Sequence, residues 1–390
     1  MIYVGIDVAK DKHDCCILNQ EAEPLFPVFT IGNNHTGYEL LHERIRSASK
    51  NPDEIKVGLE ATGHYSYNIL GSLLDHGYHT CVINPLHTNL YRKGHSLRKT
   101  KTDKVDARSI AEMLVTDKTL KPYTDTSYHS EDLKSLTRYR FDKVQERAKL
   151  KSSVARLVNI LFPELEHLVP TLHMNSVYEL LEEMPGASFI AKANLTHLKS
   201  LLSKNSKGRY QRDKAIEIRE AAIHSVGSVM AAKSMELKHT IKLIRVMTEE
   251  IDEVEASIKE IMDDCASPIM TIPGISYRMG AMILAEIGDF QRFDNADKLL
   301  AFAGISPSRN DSGQFESSNN HMEKRGSKYL RYALFNAAIY VCMWDERFGT
   351  YLAKKRAEGK HYYVALSHVI RKLLRTIYRM ELTQTAYKPL

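Results

Sequence analysis

At 390 residues and 43% hydrophobic content the chain is too long for one ordinary domain and too apolar to be disordered, so two or three folded units are expected. Lys plus Arg outnumber Asp plus Glu by 54 to 48, and a net charge of +6 argues only weakly for a polyanionic partner, so the distribution of charge matters more than its size. The five scattered cysteines (Cys15, Cys16, Cys81, Cys265, Cys342) form no CxxC pair, and no stretch nears about 18 uninterrupted apolar residues, which argues against a disulfide scaffold, a zinc site, secretion or membrane insertion and for a reduced cytoplasmic protein.

The chain opens with residues 2–8, 15–19 and 25–31 in strand-like patterns, followed by a helical pattern over 36–49. A fourth apolar run, 55–59, leads to Glu60. An amphipathic stretch over 65–77, a fifth strand over 79–84 ending at Pro85, and a further helix follow. An acid in the first strand, another at the end of the fourth and more on a later helix give this order the look of an α/β ribonuclease H or RuvC-like domain, expected over residues 1–128. The fold alone does not fix the chemistry.

The middle, expected over 129–262, reads as helical. Leu150, Val154, Leu157 and Leu161 step by four, three and four, and Ile244, Met247, Ile251, Val254, Ile258 and Ile261 alternate three and four, the spacing of a coiled-coil seam. Pro163 and Pro170 interrupt it, and 195–227 reads as a small helical insert carrying Lys204, Lys207, Arg209, Arg212 and Lys214, either a nucleic-acid contact or a solvated face. The last part, expected over 263–390, is mostly α. It starts with a helix-hairpin-helix-like segment at Ile272-Pro273-Gly274-Ile275, whose turn has backbone N–H groups to offer a phosphate, and ends in a helix bearing Arg371, Lys372, Arg375 and Arg379.

Four acids carry the chemistry. Asp7 sits in an apolar strand where an unpartnered charge is costly. Glu60 ends another strand, and parallel neighbours bring such residues to one carboxyl edge. Asp103 and Asp106, three apart at a helix start, project from one face. Each has an ordinary reading as a turn, cap or dipole partner, but four on one fold suit Mg²⁺ or Mn²⁺. Just upstream lies the densest basic stretch, with Arg92, Lys93, His95, Arg98, Lys99 and Lys101, suited to holding substrate phosphates against acidic residues.

The segments Gly5-Ile6-Asp7-Val8-Ala9-Lys10, Leu59-Glu60-Ala61-Thr62-Gly63, Ile83-Asn84-Pro85 and Lys101-Thr102-Asp103-Lys104-Val105-Asp106-Ala107-Arg108 resemble the DEDD transposases of the insertion-sequence one-ten family. So do Phe302-Ala303-Gly304-Ile305-Ser306-Pro307, Asp311-Ser312-Gly313 and Gly326-Ser327-Lys328-Tyr329-Leu330-Arg331 near the other end. The resemblance implies that Asp7, Glu60, Asp103 and Asp106 bind Mg²⁺ and that Ser312, which the residues alone mark only as part of a turn, attacks a DNA phosphate. It further implies double-stranded donor and target DNA, a structured guide RNA, a homo-oligomer (dimer or tetramer) with a composite site, and a cytoplasmic enzyme at the nucleoid. Arg325, Lys328 and Arg331 follow the serine and suit phosphate contacts. A Holliday-junction resolvase, which would have no use for Ser312, a sugar-kinase-like ATPase, disfavoured by the missing glycine after Asp7, and a non-enzymatic nucleic-acid scaffold are the competing readings.

Overall fold

The structure, a computed structural model, describes residues 1–60, 63–83, 85–95, 102–118, 120, 122, 126–306, 322, 324 and 326–389. They form two compact units, Met1–Tyr128 and His129–Leu390.

The first unit is built on a mixed sheet of β1 (Ile2–Val8), β2 (Lys12–Leu18), β3 (Phe29–Gly32), β4 (Ile55–Glu60) and β5 (His79–Ile83), with α1 (His35–Ala48) and α2 (Tyr67–Asp75) among them and α3 (Pro85–His95) and α4 (Asp103–Thr116) after. The strand order is β3-β2-β1-β4-β5. β1 pairs antiparallel with β2 and parallel with β4, β2 pairs antiparallel with β3, and β4 parallel with β5. Alternation along β1 sorts its side chains: Val4, Ile6 and Val8 pack with Leu41, Ile45, Ile69 and Leu73 of α1 and α2. Tyr3, Gly5 and Asp7 take the opposite face, where α4 lies.

Two strands differ from expectation. β2 starts at Lys12 rather than at residue 15, because His13 and Asp14 are buried polar residues that break the apolar signal. The segment expected as a strand over 25–31 forms a regular strand only as Phe29–Gly32, with an isolated bridge of Pro24 to Leu18 before it, and Pro27, which cannot donate to a ladder, lies between the two.

α4 rests directly on β1 because Gly5 has no side chain. A Cβ there would stand 2.1 Å from the carbonyl oxygen of Ala107 and 2.4 Å from the amide nitrogen of Ala111. Thr102 caps the helix, its hydroxyl accepting from the amide of Val105.

The second unit is helical. α5 (Thr126–Leu161) is followed by α6 (Leu165–Leu168), α7 (Asn175–Glu183), α8 (Ala187–Ala191), α9 (Leu195–Asn205), α10 (Arg212–Ile223) and α11 (Ala231–Cys265). Arg140 meets Glu255, Lys143 meets Glu250, Arg147 meets Thr248 and Arg156 meets Glu236, so each step forward along α5 matches a step back along α11 and the pair is antiparallel. Val154, Leu157, Leu161 and Ile244 are buried with Leu180, Leu198 and Ile218 of α7, α9 and α10, which form one core at the end of the pair. Within that group Lys204, Lys207, Arg209 and Arg212 point to solvent, and Lys214 pairs with Glu217.

The remaining helices are α12 (Tyr277–Ile287), α13 (Ala296–Phe302), α14 (Lys328–Trp344), α15 (Glu346–Ala357) and α16 (Tyr362–Thr383), packed around Ile283, Leu334, Val341, Phe348, Leu366 and Leu373. Arg138 of α5 donates through Nε and Nη2 to both oxygens of the buried Glu286, at 2.6 and 2.9 Å, and ties this bundle to the long pair. At the Pro273-Gly274 turn Gly274 has a φ of +90°, and a Cβ on it would lie 2.6 Å from the backbone of Tyr340, so the turn packs closely on α14. Among the described residues no helix is long and apolar enough to cross a membrane.

Candidate carboxylate site

The register of the sheet sets the first three acids. Ile6 is the parallel partner of Leu59, so the next residues, Asp7 and Glu60, are neighbours at the carboxyl ends of β1 and β4. Asp7 is also the antiparallel partner of Asp14 on β2, and directly paired residues share a face. The close approach of α4 at Gly5 then brings the first turn of that helix, with Asp103 and Asp106, to the same face. Asp103 is exposed and Asp106 half-buried.

The electrostatics register this crowding. Burial, with the charges of Asp106, Asp103, Glu60 and Asp14 added to it, pushes the Asp7 carboxyl up to about 6. The other three sequence-predicted acids, with Asp14, thus act on Asp7.

Two of them have partners that limit their freedom. Arg92 Nη1 of α3 donates to Asp106 Oδ1 at 2.8 Å, and Thr88 of the same helix donates its hydroxyl to Glu60 Oε2 at 2.9 Å. Arg92 therefore supplies positive charge beside the acids, while the next residue, Lys93, is exposed. Among the described residues no three Asp, Glu, His or Cys side chains are drawn together as a ready-made set of metal ligands. The donor chemistry nonetheless fits a hard divalent ion, since every candidate is a carboxylate oxygen and their mutual repulsion is of the kind a cation relieves.

Sequence reasoning missed Asp14 and Thr88. Asp14 is buried and accepts a hydrogen bond from the Thr30 hydroxyl, but only strand register reveals that it sits opposite Asp7. Thr88 carried no signal beyond lying four residues before Arg92, one turn away on a helix.

Of the other expected contacts, Lys328 is exposed with its ammonium 4.7 Å from the Tyr329 ring, and Arg331 donates to the Gly326 carbonyl at 3.1 Å at the start of α14. Ser312, Arg98, Lys99, Lys101 and Arg325 lie outside the described residues.

Comparison with known proteins adds a family. Residues 4–163 match the family model of the DEDD transposase of IS110, described as a transposase, and residues 266–353 match that of the transposase IS116/IS110/IS902 family. A 44.8 kDa protein of insertion element IS116 from Streptomyces clavuligerus is 23% identical over 100% of this chain and 96% of its own length. The pilin gene-inverting protein of Moraxella bovis is 24% identical over 96% of this chain and 94% of its own. The mini-circle putative transposase for IS117 from Streptomyces coelicolor is 24% identical over 96% and 92%.

Proposed function

The chain belongs to the IS116/IS110/IS902 family of transposases, and from that premise we propose that it cuts and rejoins DNA with Asp7, Glu60, Asp103 and Asp106 as an Mg²⁺-binding site and Ser312 as the nucleophile. The observation that carries the first part is the pressure of four further acids, Glu60, Asp103, Asp106 and Asp14, on the half-buried Asp7. Acids that repel one another at the carboxyl edge of a sheet are costly to keep, and a shared cation is the compensation that makes sense of them. The strand order, with β1, β2 and β3 antiparallel and β4 and β5 added in parallel, supports a RuvC-like reading of the first unit.

In this account Asp7 and Glu60 are fixed by the sheet, whereas Asp103 and Asp106 ride on α4 and close the site from above. Arg92 restrains Asp106, and Thr88 orients Glu60. A bound divalent ion supplies positive charge against the phosphate and favours the ionised form of a nucleophile. The Ser312 oxygen attacks phosphorus as its proton passes to solvent, the displaced sugar oxygen leaves and takes up a proton, and the cut DNA end is held as a serine phosphodiester until a sugar hydroxyl of the joining strand reverses the step. Since the acids and Ser312 belong to different units, the reading extends to a homo-oligomer with a composite site.

The relatives' names speak of transposition and inversion, and the proposed partners are donor and target duplex DNA with a structured guide RNA. Backbone contacts would then position the nucleic acid while base pairing selects it. Incubation with element-end DNA and Mg²⁺ tests the reaction: a protein–DNA adduct that survives denaturation is expected from the wild type and is absent from Ser312→Ala. Cleavage without any adduct, undiminished in Ser312→Ala, would indicate direct hydrolysis and remove the serine step.

A further inference from the structure

α16 carries a stripe at helical spacing, Val364, His368, Arg371, Arg375 and Arg379, that runs for about 22 Å along one side of the helix. Two cavities open on it. One, of about 750 Å³, is lined by Arg347, Arg371, Lys372, Arg375, Arg379 and Lys388. The other, of about 680 Å³, has the aromatic walls Tyr332, Phe335 and Tyr363, and Lys324, Lys328 and Arg331 also line it. His368 and Arg371 belong to both, so the cavities are adjacent.

In the cationic cavity positive charge outnumbers the acids that act on it, of which Asp345 opposes Lys372. Arg375 pairs with Asp297 on the exposed side. The nearby Asp345 is committed, accepting from the Phe348 amide through one oxygen and from the Tyr387 hydroxyl through the other. Glu358 is held by Lys355 and Lys360. Among the described residues none of Arg347, Arg371, Lys372, Arg379 and Lys388 forms an ion pair, and the buried Nε of Arg347 donates to nothing. Burial and the Arg347 charge lower Lys372 against an opposing pull from Asp345, and burial with Arg371, Lys355 and Lys360 lowers His368 against Glu358. Concentrated positive charge in excess of its counter-charge, beside a largely apolar aromatic pocket, is the pairing that single strands exploit, phosphates on the first and an unstacked base in the second. A duplex cannot fill both, because its bases are stacked and paired.

Resting on the nucleic-acid reading above, we propose that this face of α16 holds an unpaired segment of nucleic acid, its phosphodiesters in the cationic cavity and one base between Tyr332, Phe335 and Tyr363. The site is separate from the carboxylates and uses no divalent ion. The test is equilibrium binding of the full chain in EDTA to fluorescent oligothymidine, oligouridine and a mixed-sequence duplex, each of about 20 units. Single strands should bind more tightly than the duplex. Arg371→Ala with Arg379→Ala should weaken single-strand binding by about tenfold or more, and lower the salt slope by about 1.4, the value for two lost phosphate contacts. Tyr363→Ala, at a side chain 61% exposed and so without cost to the core, should weaken single-strand binding while sparing the duplex. A tighter complex with oligouridine assigns the segment to RNA, and one with oligothymidine assigns it to DNA. Unchanged single-strand affinity in both variants, or equal losses for duplex and single strand, overturns the proposal. Neither result bears on cleavage, so failure here is distinct from failure of the carboxylate reading, and Arg371→Lys with Arg379→Lys, which keeps the charge, should restore most of the affinity.

Discussion

Replacing Asp7 by Asn should make the first unit more stable while abolishing DNA cleavage. In the native protein the Asp7 carboxyl titrates near 6 instead of 3.8, so the ionised form is disfavoured by burial and by the neighbouring acids. A group whose folded pKa is raised gives stability that is complete below its unfolded pKa and is lost as pH rises through the folded one. The window is therefore 3.8 to about 6, and above it the native state carries the full cost. The shift corresponds to about 3 kcal/mol, and partial solvent access reduces this to roughly 1–3 kcal/mol. Asn keeps the shape and removes the charge. Hydrogen exchange of the β1 and β4 amides, followed from pH about 4 to about 7.5, measures the local opening energy. The variant should match the wild type at the acid end and exceed it at the neutral end, and Mg²⁺ should narrow the gap by stabilising only the wild type. Equal or lower protection of the variant at neutral pH, with the fold intact, would show that the acids do not press on Asp7 and would refute the reasoning.

Three further outcomes follow from particular contacts. Gly5→Ala places a methyl 2.1 Å from the Ala107 carbonyl, which only a shift of α4 can relieve, so it should cost about 3 kcal/mol or more by thermal unfolding and let the Asp7 pKa fall as Asp103 and Asp106 retreat. His42 is buried against His76, stacked at 3.6 Å between centroids, and burial with the His76 and Arg46 charges lowers its pKa to about 4. A depressed histidine binds protons more readily unfolded, so the first unit should lose up to about 3 kcal/mol as pH falls from 6.5 to 4, a loss that His42→Leu removes. This acid loss is common to the wild type and Asp7→Asn, and so cancels in their difference. Arg138→Ala leaves Glu286 buried and unmatched, and should destabilise the second unit by about 3–5 kcal/mol while leaving exchange in β1 and β4 unchanged.

The strands were legible where side chains alternate or run apolar, as in β1 and β4, and the acids at their ends could be singled out because charge is rare there. β2 was harder because His13 and Asp14 are buried among the apolar residues, stabilised by contacts from elements that sequence does not pair. Asp14 acquires its relation to Asp7 only through antiparallel register, and Thr88 meets Glu60 across 28 residues of chain. The helical spacings along α5 and α11 were visible, but their antiparallel match depends on polar contacts about a hundred residues apart, such as the ion pair of Lys143 with Glu250 and the hydrogen bond from Arg147 to Thr248. At Pro273-Gly274 the sequence shows a turn, and only the fold shows that its glycine lies against the backbone of Tyr340. The basic residues of α16 read as a solvated face or a phosphate contact, and periodicity could not show that the same stripe borders two cavities.

The acids are brought together by one physical arrangement, two strand ends and a helix laid into a glycine notch, and the claim is that this arrangement holds a divalent ion. Mn²⁺ titration followed by electron paramagnetic resonance reads that directly, because the free aquo ion gives a signal that binding removes. The wild-type chain should deplete the free-ion signal, with affinity lowered by about tenfold or more in Asp7→Asn and in Glu60→Gln. Mn²⁺ uptake that is the same in the wild type and both folded variants would contradict the account.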